Sequence, residues 1–218
     1  MTPKQSYKLT SNGLGDAWAG VNWCFLQSIA QGKPVRLSNR KGNYDQENWR
    51  EGRVAEIIAL YDTSEYPDAA IEVTGPDVPV LSIPRQLWQY KYFPTKRVWQ
   101  PSCSRRVLLH FTPFTVRKYA PSEVDQLQVI KVLQGLDFEP VVFEGNETLE
   151  EVVNMMSESC AVISMCSGFT HVCHSVGTPL YIVDNGVGKV WIDRHHGRKK
   201  FTHCENFFDA AQKLYIGE

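Results

Sequence analysis

Three short segments of this chain bring together side chains that could hold a charged ligand or move a proton. The first is Gly13-Leu14-Gly15-Asp16, set between an apolar run at Tyr7–Thr10 and a helical stripe that begins at Trp18. Glycines such as Gly13 and Gly15 at a strand-to-helix junction let the backbone approach a ligand and leave amides pointing out of the helix start. Asp16 then has two readings: a general base at the carboxyl edge of a first strand, or a carboxylate that caps the helix. The second segment is Ser167-Gly168-Phe169-Thr170-His171, after an apolar run ending at Met165. Hydroxyls and amides gathered at a helix start suit a diphosphate, because free N–H groups and the helix dipole both favour negative charge. A capped turn with structural histidines would use the same residues. The third segment runs from Thr112 to Pro121 and carries Thr112, Thr115, Arg117 and Lys118 in the loop after a strand. A lysine there meets a phosphate as a point charge, or stands in solvent.

Short apolar runs alternating with longer amphipathic ones would position these segments, and that alternation is the mark of an α/β protein with parallel strands. The first half reads as a strand at Tyr7–Thr10, a helix with Trp18, Val21, Phe25 and Ile29 on one stripe, and a strand at Pro34–Ser38. A loop over Asn39–Gly52, a helix showing Val54, Ile57, Ile58 and Tyr61, and short strands near Ala70–Thr74 and Val78–Ser82 follow. Ser82–Ser104 reads as a connection with a strand through Leu87–Phe93. The second half reads as a strand at Arg105–Phe111, a helix from Ser122 to Gly135, a strand at Phe138–Phe143 and an acidic helix at Glu147–Glu158. Then come a strand at Cys160–Met165, a short helix to Val176, a strand at Leu180–Val183 and a helix at Glu205–Tyr215. The expected architecture is two Rossmann-like domains, 1–100 and 101–218, facing a cleft.

Composition narrows the class. The 218 residues are 43% hydrophobic and 22% charged, which excludes a fibrous or wholly disordered chain. No apolar run is long enough to cross a membrane and Met1–Lys8 is polar, so the expectation is a cytoplasmic protein with no span and no leader. The six cysteines form no CxxC pair and read as reduced, mostly buried thiols.

Taken in order, the three segments resemble the heptosyltransferase-like glycosyltransferases of GT-B fold. The matches are Gly15-Asp16, then Thr115 and Lys118 before Tyr119-Ala120-Pro121, then Ser167-Gly168 with His171, followed by Gly177-Thr178-Pro179. Ala120 and Cys166 depart from the family pattern, which commonly has a tryptophan and an aspartate there. The resemblance implies a minimal GT-B protein with an amino-terminal acceptor domain and a carboxyl-terminal donor domain. It implies inverting transfer from a nucleoside-diphosphate sugar with Asp16 as base and no metal or other cofactor. Thr112, Thr115, Lys118, Ser167, Gly168, Phe169, Thr170 and His171 would bind the donor.

The net charge of −1 comes from 23 basic and 24 acidic residues, and it conceals separated blocks. Ser82–Arg106 contains Arg85, Lys91, Lys96, Arg97, Arg105 and Arg106 without an acid, interleaved with Trp88, Tyr90, Tyr92, Phe93 and Trp99. Cations with aromatic faces suit a polyanionic acceptor, so Arg85, Lys91, Lys96 and Arg97 are candidate acceptor contacts. A hydroxymethylated pyrimidine in DNA, the substrate of small viral enzymes of this fold, is the favoured acceptor, and a viral protein would act in the host cytoplasm. A saccharide or lipid-linked phosphate is the alternative. A reading from another class also stands: His171, Cys173, His174, His195, His196, His203 and Cys204 crowd the end of the chain, as in a metal- or nucleotide-binding module, although their spacing fits no standard zinc pattern.

Overall fold

Apolar runs and amphipathic stretches assemble, in the computed structural model, into two parallel sheets with helices packed on them. The structure describes residues 6–8, 13–38, 53–74, 81–82, 92–101, 104–112, 118–189, 192 and 200–217. The chain divides into two units, Met1–Lys96 and Arg97–Glu218. Among the described residues no helix is long and apolar enough to cross a membrane.

In the first unit, β1 (Ser6–Lys8), β2 (Val35–Ser38), β3 (Ile71–Thr74) and β4 (Leu81–Ser82) form a parallel sheet in the order β3-β2-β1-β4. Tyr7 pairs with Leu37 on one side and Leu81 on the other. Helix α1 (Leu14–Gln31) follows β1 and α2 (Arg53–Leu60) precedes β3. The α1 stripe expected from its spacing is present, but the helix is buried well beyond it: Ala17 through Phe25 are all buried. Gly32 ends the helix in the left-handed conformation (φ 60°), its N–H on the carbonyls of Ser28 and Ile29. Ser28 Oγ then donates to Lys33 O (2.9 Å) and accepts from Ala70 N (3.0 Å), tying the helix end to the approach of β3.

Two expectations are corrected here. Tyr61, read as part of the α2 face, is the residue after the helix and bridges to Thr95 in an antiparallel pair. Its ring packs on Trp18 (5.3 Å between centroids) and Phe25 (5.5 Å), and its hydroxyl donates to the Trp18 carbonyl. A strand through Leu87–Phe93 falls largely outside the described residues, as does the loop at 39–52. Tyr92 and Phe93 are not strand. Both are buried, and Phe93 N donates to Asn22 Oδ1 at 2.7 Å, so α1 holds this segment through a buried polar bond.

In the second unit, β5 (Arg106–His110), β6 (Glu139–Val142), β7 (Ala161–Met165), β8 (Leu180–Val183) and β9 (Thr202–Cys204) form a parallel sheet in the order β6-β5-β7-β8-β9. All of β7 and β8 is buried, as central parallel strands covered on both faces must be. Helix α3 (Glu123–Gly135) starts at Ser122, whose Oγ accepts from Asp125 N (3.2 Å), as its sequence predicts. Helices α4 (Leu149–Ser157) and α5 (Gly168–Val176) pack together, and α3 packs on the terminal helix α6 (Phe207–Ile216). Val107, Leu109, Ile163, Met165 and Val183 face α3 and α6 in one core, with Val129, Leu133, Phe207 and Ala210. Strand alternation sends His110 and Ser164 to the opposite face.

Strand β9 is not among the expected elements; its His203 and Cys204 stand in the sequence as part of the histidine- and cysteine-rich end of the chain. It pairs with β8 from Tyr181↔Thr202 to Val183↔Cys204. Helix α4 begins in a capping box: Thr148 Oγ1 accepts from Glu151 N (3.2 Å) while Glu151 Oε2 accepts from Thr148 N (2.7 Å). Those bonds hold the Glu151 carboxyl below its ordinary range. Thr148→Ala should lower the unfolding free energy by about 1 kcal/mol, read from urea midpoints at neutral pH.

Candidate functional site

In the first unit Asp16 lies in the first turn of α1, directly after the Gly13 N-cap. Gly13 is extended (φ −68°, ψ 149°) and its carbonyl accepts from Ala17 N (3.0 Å). Gly15 is therefore the second residue of the helix and not part of the turn before it. A carboxylate here is favoured by the helix dipole, and Asp16 is half-buried. Its charge reaches the buried Tyr92 phenol: burial pushes that hydroxyl well up, with Tyr61 and then Asp16 adding to the effect.

In the second unit the carboxyl ends of β5 and β7 are neighbours, since these strands pair from Val107↔Ala161 to His110↔Ser164. Thr112 follows β5 and is exposed; Thr115 lies outside the described residues. Lys118 is exposed, with Nζ 4.6 Å from the centroid of the Tyr119 ring. Ser167 caps α5 after β7, closing a second capping box. Its Oγ accepts from Phe169 N (3.2 Å), while Thr170 Oγ1 accepts from Ser167 N (3.3 Å) and donates to Ser167 O (2.6 Å).

This geometry sets which polar groups of the expected donor residues are already engaged. The Phe169 amide and the Thr170 hydroxyl are occupied by the cap itself, so neither is an outward donor. What the helix start offers is the Ser167 O–H proton and the Gly168 N–H, which has no partner among the described residues. The Phe169 ring is buried against His110 (4.7 Å) and Phe143 (4.7 Å). His171 is 3% exposed and sits inside the helix packing.

Sequence reasoning passed over His110, although a polar residue closing an apolar strand was the available signal. It is 8% exposed, between the rings of Phe143 (5.1 Å) and Phe169, with Nδ1 3.3 Å from Ser164 Oγ. Ser164 Oγ donates to Met165 O (2.7 Å), so the imidazole Nδ1–H donates to Ser164. Burial lowers the His110 pKa to about 4 against a weaker opposing pull from Glu147.

Two cations of the basic block have acidic partners. Arg105 pairs with Asp137 (3.2 Å) and donates to the carbonyls of Leu136 and Asp137; Arg106 pairs with Glu158 (2.8 Å). Trp99 donates its indole N–H to Ser159 O (2.9 Å), and its backbone N bonds Val176 O. Tyr92 and Phe93 are core residues. Lys96 and Arg97 are exposed, and Arg85 and Lys91 lie outside the described residues. Of the described aromatics in this stretch, Tyr92 and Phe93 are thus spent on packing, while Trp99 is half-buried.

Among the described residues no three His, Cys, Asp or Glu side chains gather as a metal site. Among the described residues Cys24, Cys160, Cys166, Cys173 and Cys204 form no disulfide; burial pushes the Cys24 and Cys173 thiols up, and that of Cys204 to about 12. His195, His196 and Cys103 lie outside the described residues.

Doubly wound parallel sheets with ligand-type residues at their carboxyl ends define a Rossmann-like α/β protein, the fold class of glycosyltransferases of known structure. One similar solved structure is the iron-containing dodecameric glycosyltransferase TibC from enterotoxigenic E. coli H10407, at 13% identity and TM-score 0.57, covering 84% of this chain and 59% of that one. A second is dodecameric iron-containing heptosyltransferase TibC in complex with ADP-D-β-D-heptose, at 13% identity and TM-score 0.58, covering 93% of this chain and 63% of that one. The chain therefore spans less than two thirds of the length of these structures. No family model and no curated protein matches the sequence.

Proposed function

We propose that this protein is an inverting glycosyltransferase that uses a nucleoside-diphosphate sugar, with the donor held by the second unit and the catalytic base, Asp16, supplied by the first. The observation that carries the reading is the Ser167 cap of α5 at the carboxyl end of β7, beside the β5 end that leads to Thr112 and Lys118. It is supported by the likeness of fold to a heptosyltransferase solved with ADP-heptose.

In this mechanism the Asp16 carboxylate takes the proton of an acceptor hydroxyl as that oxygen attacks the anomeric carbon. The bond to the diphosphate breaks as the new glycosidic bond forms on the opposite face, and its electron pair leaves with the diphosphate. Lys118, the Ser167 hydroxyl, the Gly168 amide and the α5 dipole receive that charge. His110 stays neutral and takes no part as a counter-charge. The reading draws its electrostatics from these groups and calls on no metal.

The test is a panel of ADP-, UDP-, GDP- and CDP-sugars with saccharide acceptors and with hydroxymethylcytosine DNA, followed by mass spectrometry of the acceptor. One sugar added with release of the matching diphosphate is the expected result; no diphosphate binding and no transfer across the panel would overturn it. The DNA acceptor rests on the sequence of the basic stretch alone, and a steep fall of DNA binding with salt is its specific mark. Lys118→Ala should weaken diphosphate affinity about 10-fold or more, one charge-assisted contact being worth about 1.5–3 kcal/mol, as read by calorimetry.

A further inference from the structure

The five residues after β8, Asp184–Gly188, form a tightly made loop that the proposed mechanism leaves unused. Its ends are fixed: Asp184 N donates to Cys204 O (2.8 Å) and Asn185 N to Glu205 O (2.9 Å). It closes on itself through Asp184, whose carbonyl accepts from Val187 N (2.9 Å) and whose Oδ1 accepts from Gly188 N (2.5 Å). His203 Nε2 stands 3.6 Å from the other carboxylate oxygen.

Within this loop Asn185 holds a left-handed backbone, φ 43°. Glycine adopts that conformation at no steric cost, and a side chain there costs roughly 1–2 kcal/mol, least for Asn and Asp. The side chain nevertheless has a distant partner: Asn185 Nδ2 donates to the carbonyl of Tyr119, 66 residues away. The next residue, Gly186 (φ 90°), lies under the same tyrosine, where an added Cβ would meet the ring at 3.5 Å. That ring in turn seats the Lys118 ammonium, 4.6 Å from its centroid. A chain of contacts thus runs from Asn185 through the Tyr119 backbone and ring to Lys118.

We infer that Asn185 is a positioning residue for the donor diphosphate, clamping Tyr119 so that Lys118 is presented in one place. This rests on the assignment of Lys118 to the diphosphate. A free lysine loses up to about 2 kcal/mol of rotamer entropy when a ligand immobilises it. A cation–π seat on a fixed ring removes part of that cost before the ligand arrives. The Asn185 amide makes a bond to Tyr119 that glycine could not.

The experiment is a double-mutant cycle on the full chain with Asn185→Gly and Lys118→Ala, titrated with ADP, CDP, GDP and UDP and with inorganic pyrophosphate. Asn185→Gly keeps the left-handed turn and relieves its strain, which offsets part of the lost bond to Tyr119 and of the extra freedom glycine gives the unfolded chain, so its urea midpoint should fall only slightly below that of the parent. Diphosphate affinity should nevertheless fall about fivefold to tenfold in the Lys118 background, equivalent to about 1–1.4 kcal/mol, and hardly at all beside Lys118→Ala. Pyrophosphate, which has no base, should show the same pattern. Unchanged affinity in Asn185→Gly, or an equal loss in both backgrounds, would overturn the inference while leaving Lys118 in place. If Lys118→Ala itself binds every diphosphate like the parent, the donor reading of Lys118 fails and the inference falls with it.

Discussion

Asp16→Asn should abolish most sugar transfer, by about 10²- to 10⁴-fold, while nucleoside-diphosphate affinity stays at the parent value. Asparagine matches aspartate in shape, so the change removes the proton acceptor and the charge with little effect on packing. The diphosphate contacts assigned to Lys118, Ser167 and Gly168 all belong to the second unit, and Asp16 belongs to the first. Loss of donor affinity is therefore not expected from this substitution. A smaller cost is expected in stability: a carboxylate in the first turn of α1 interacts with the helix dipole, and its neutralisation should cost about 0.3–1 kcal/mol. The separation of the two effects is the informative result. A variant that transfers sugar at the parent rate but loses stability would make Asp16 a helix-start carboxylate and remove it as the base. A variant that loses both transfer and donor binding would place its role in ligand binding instead.

What the sequence could and could not disclose follows from where each signal resides. Strands β5 and β7 were legible because a parallel strand buried on both faces is a continuous apolar run, and α5 was legible because Ser167-Gly168 marks a cap. Strand β9 was not, because three residues centred on a half-buried His203 have no periodicity. It exists because the open edge of β8 accepts it. In the candidate site the residue types were legible but the direction of their hydrogen bonds was not. Ser167 and Thr170 close on one another, so the Phe169 amide and the Thr170 hydroxyl are engaged in the cap. The charge of Arg105 and Arg106 was plain, but their partners Asp137 and Glu158 lie tens of residues away in sequence and meet them only through the β5–β6 and β5–β7 pairings. Asn185 was unreadable for the same reason: a turn-forming Asn-Gly after a strand predicts a loop, and the bond to Tyr119 depends on the sheet order.

Below neutral pH, the largest effect on stability among the described groups should come from His110. Its pKa is about 4 in the folded protein, against an ordinary value of 6.5 once the chain unfolds. Between those two values the unfolded chain carries a proton that the folded chain does not, so stability rises with pH across that window. The contribution is complete above about pH 6.5 and is lost progressively as pH falls to about 4, by roughly 3 kcal/mol in all; below that it changes no further. The cause is physical confinement: the imidazole lies between Phe143 and Phe169, its Nδ1–H is committed to Ser164, and Glu147 supplies only a partial counter-charge. His110→Phe keeps an aromatic ring in that space and removes the titration. Urea unfolding of both proteins at pH 7, 5.5 and 4 should show the parent losing roughly 3 kcal/mol more than the variant over the range. A stability difference that is the same at all three values would mean that His110 titrates as it does in water. Because the Phe169 ring that confines His110 belongs to the first turn of α5, protonation should also loosen the Ser167 cap. Diphosphate affinity of the parent should then hold through most of that window and weaken only as pH falls through about 4, where folded His110 takes its proton, while His110→Phe holds its affinity.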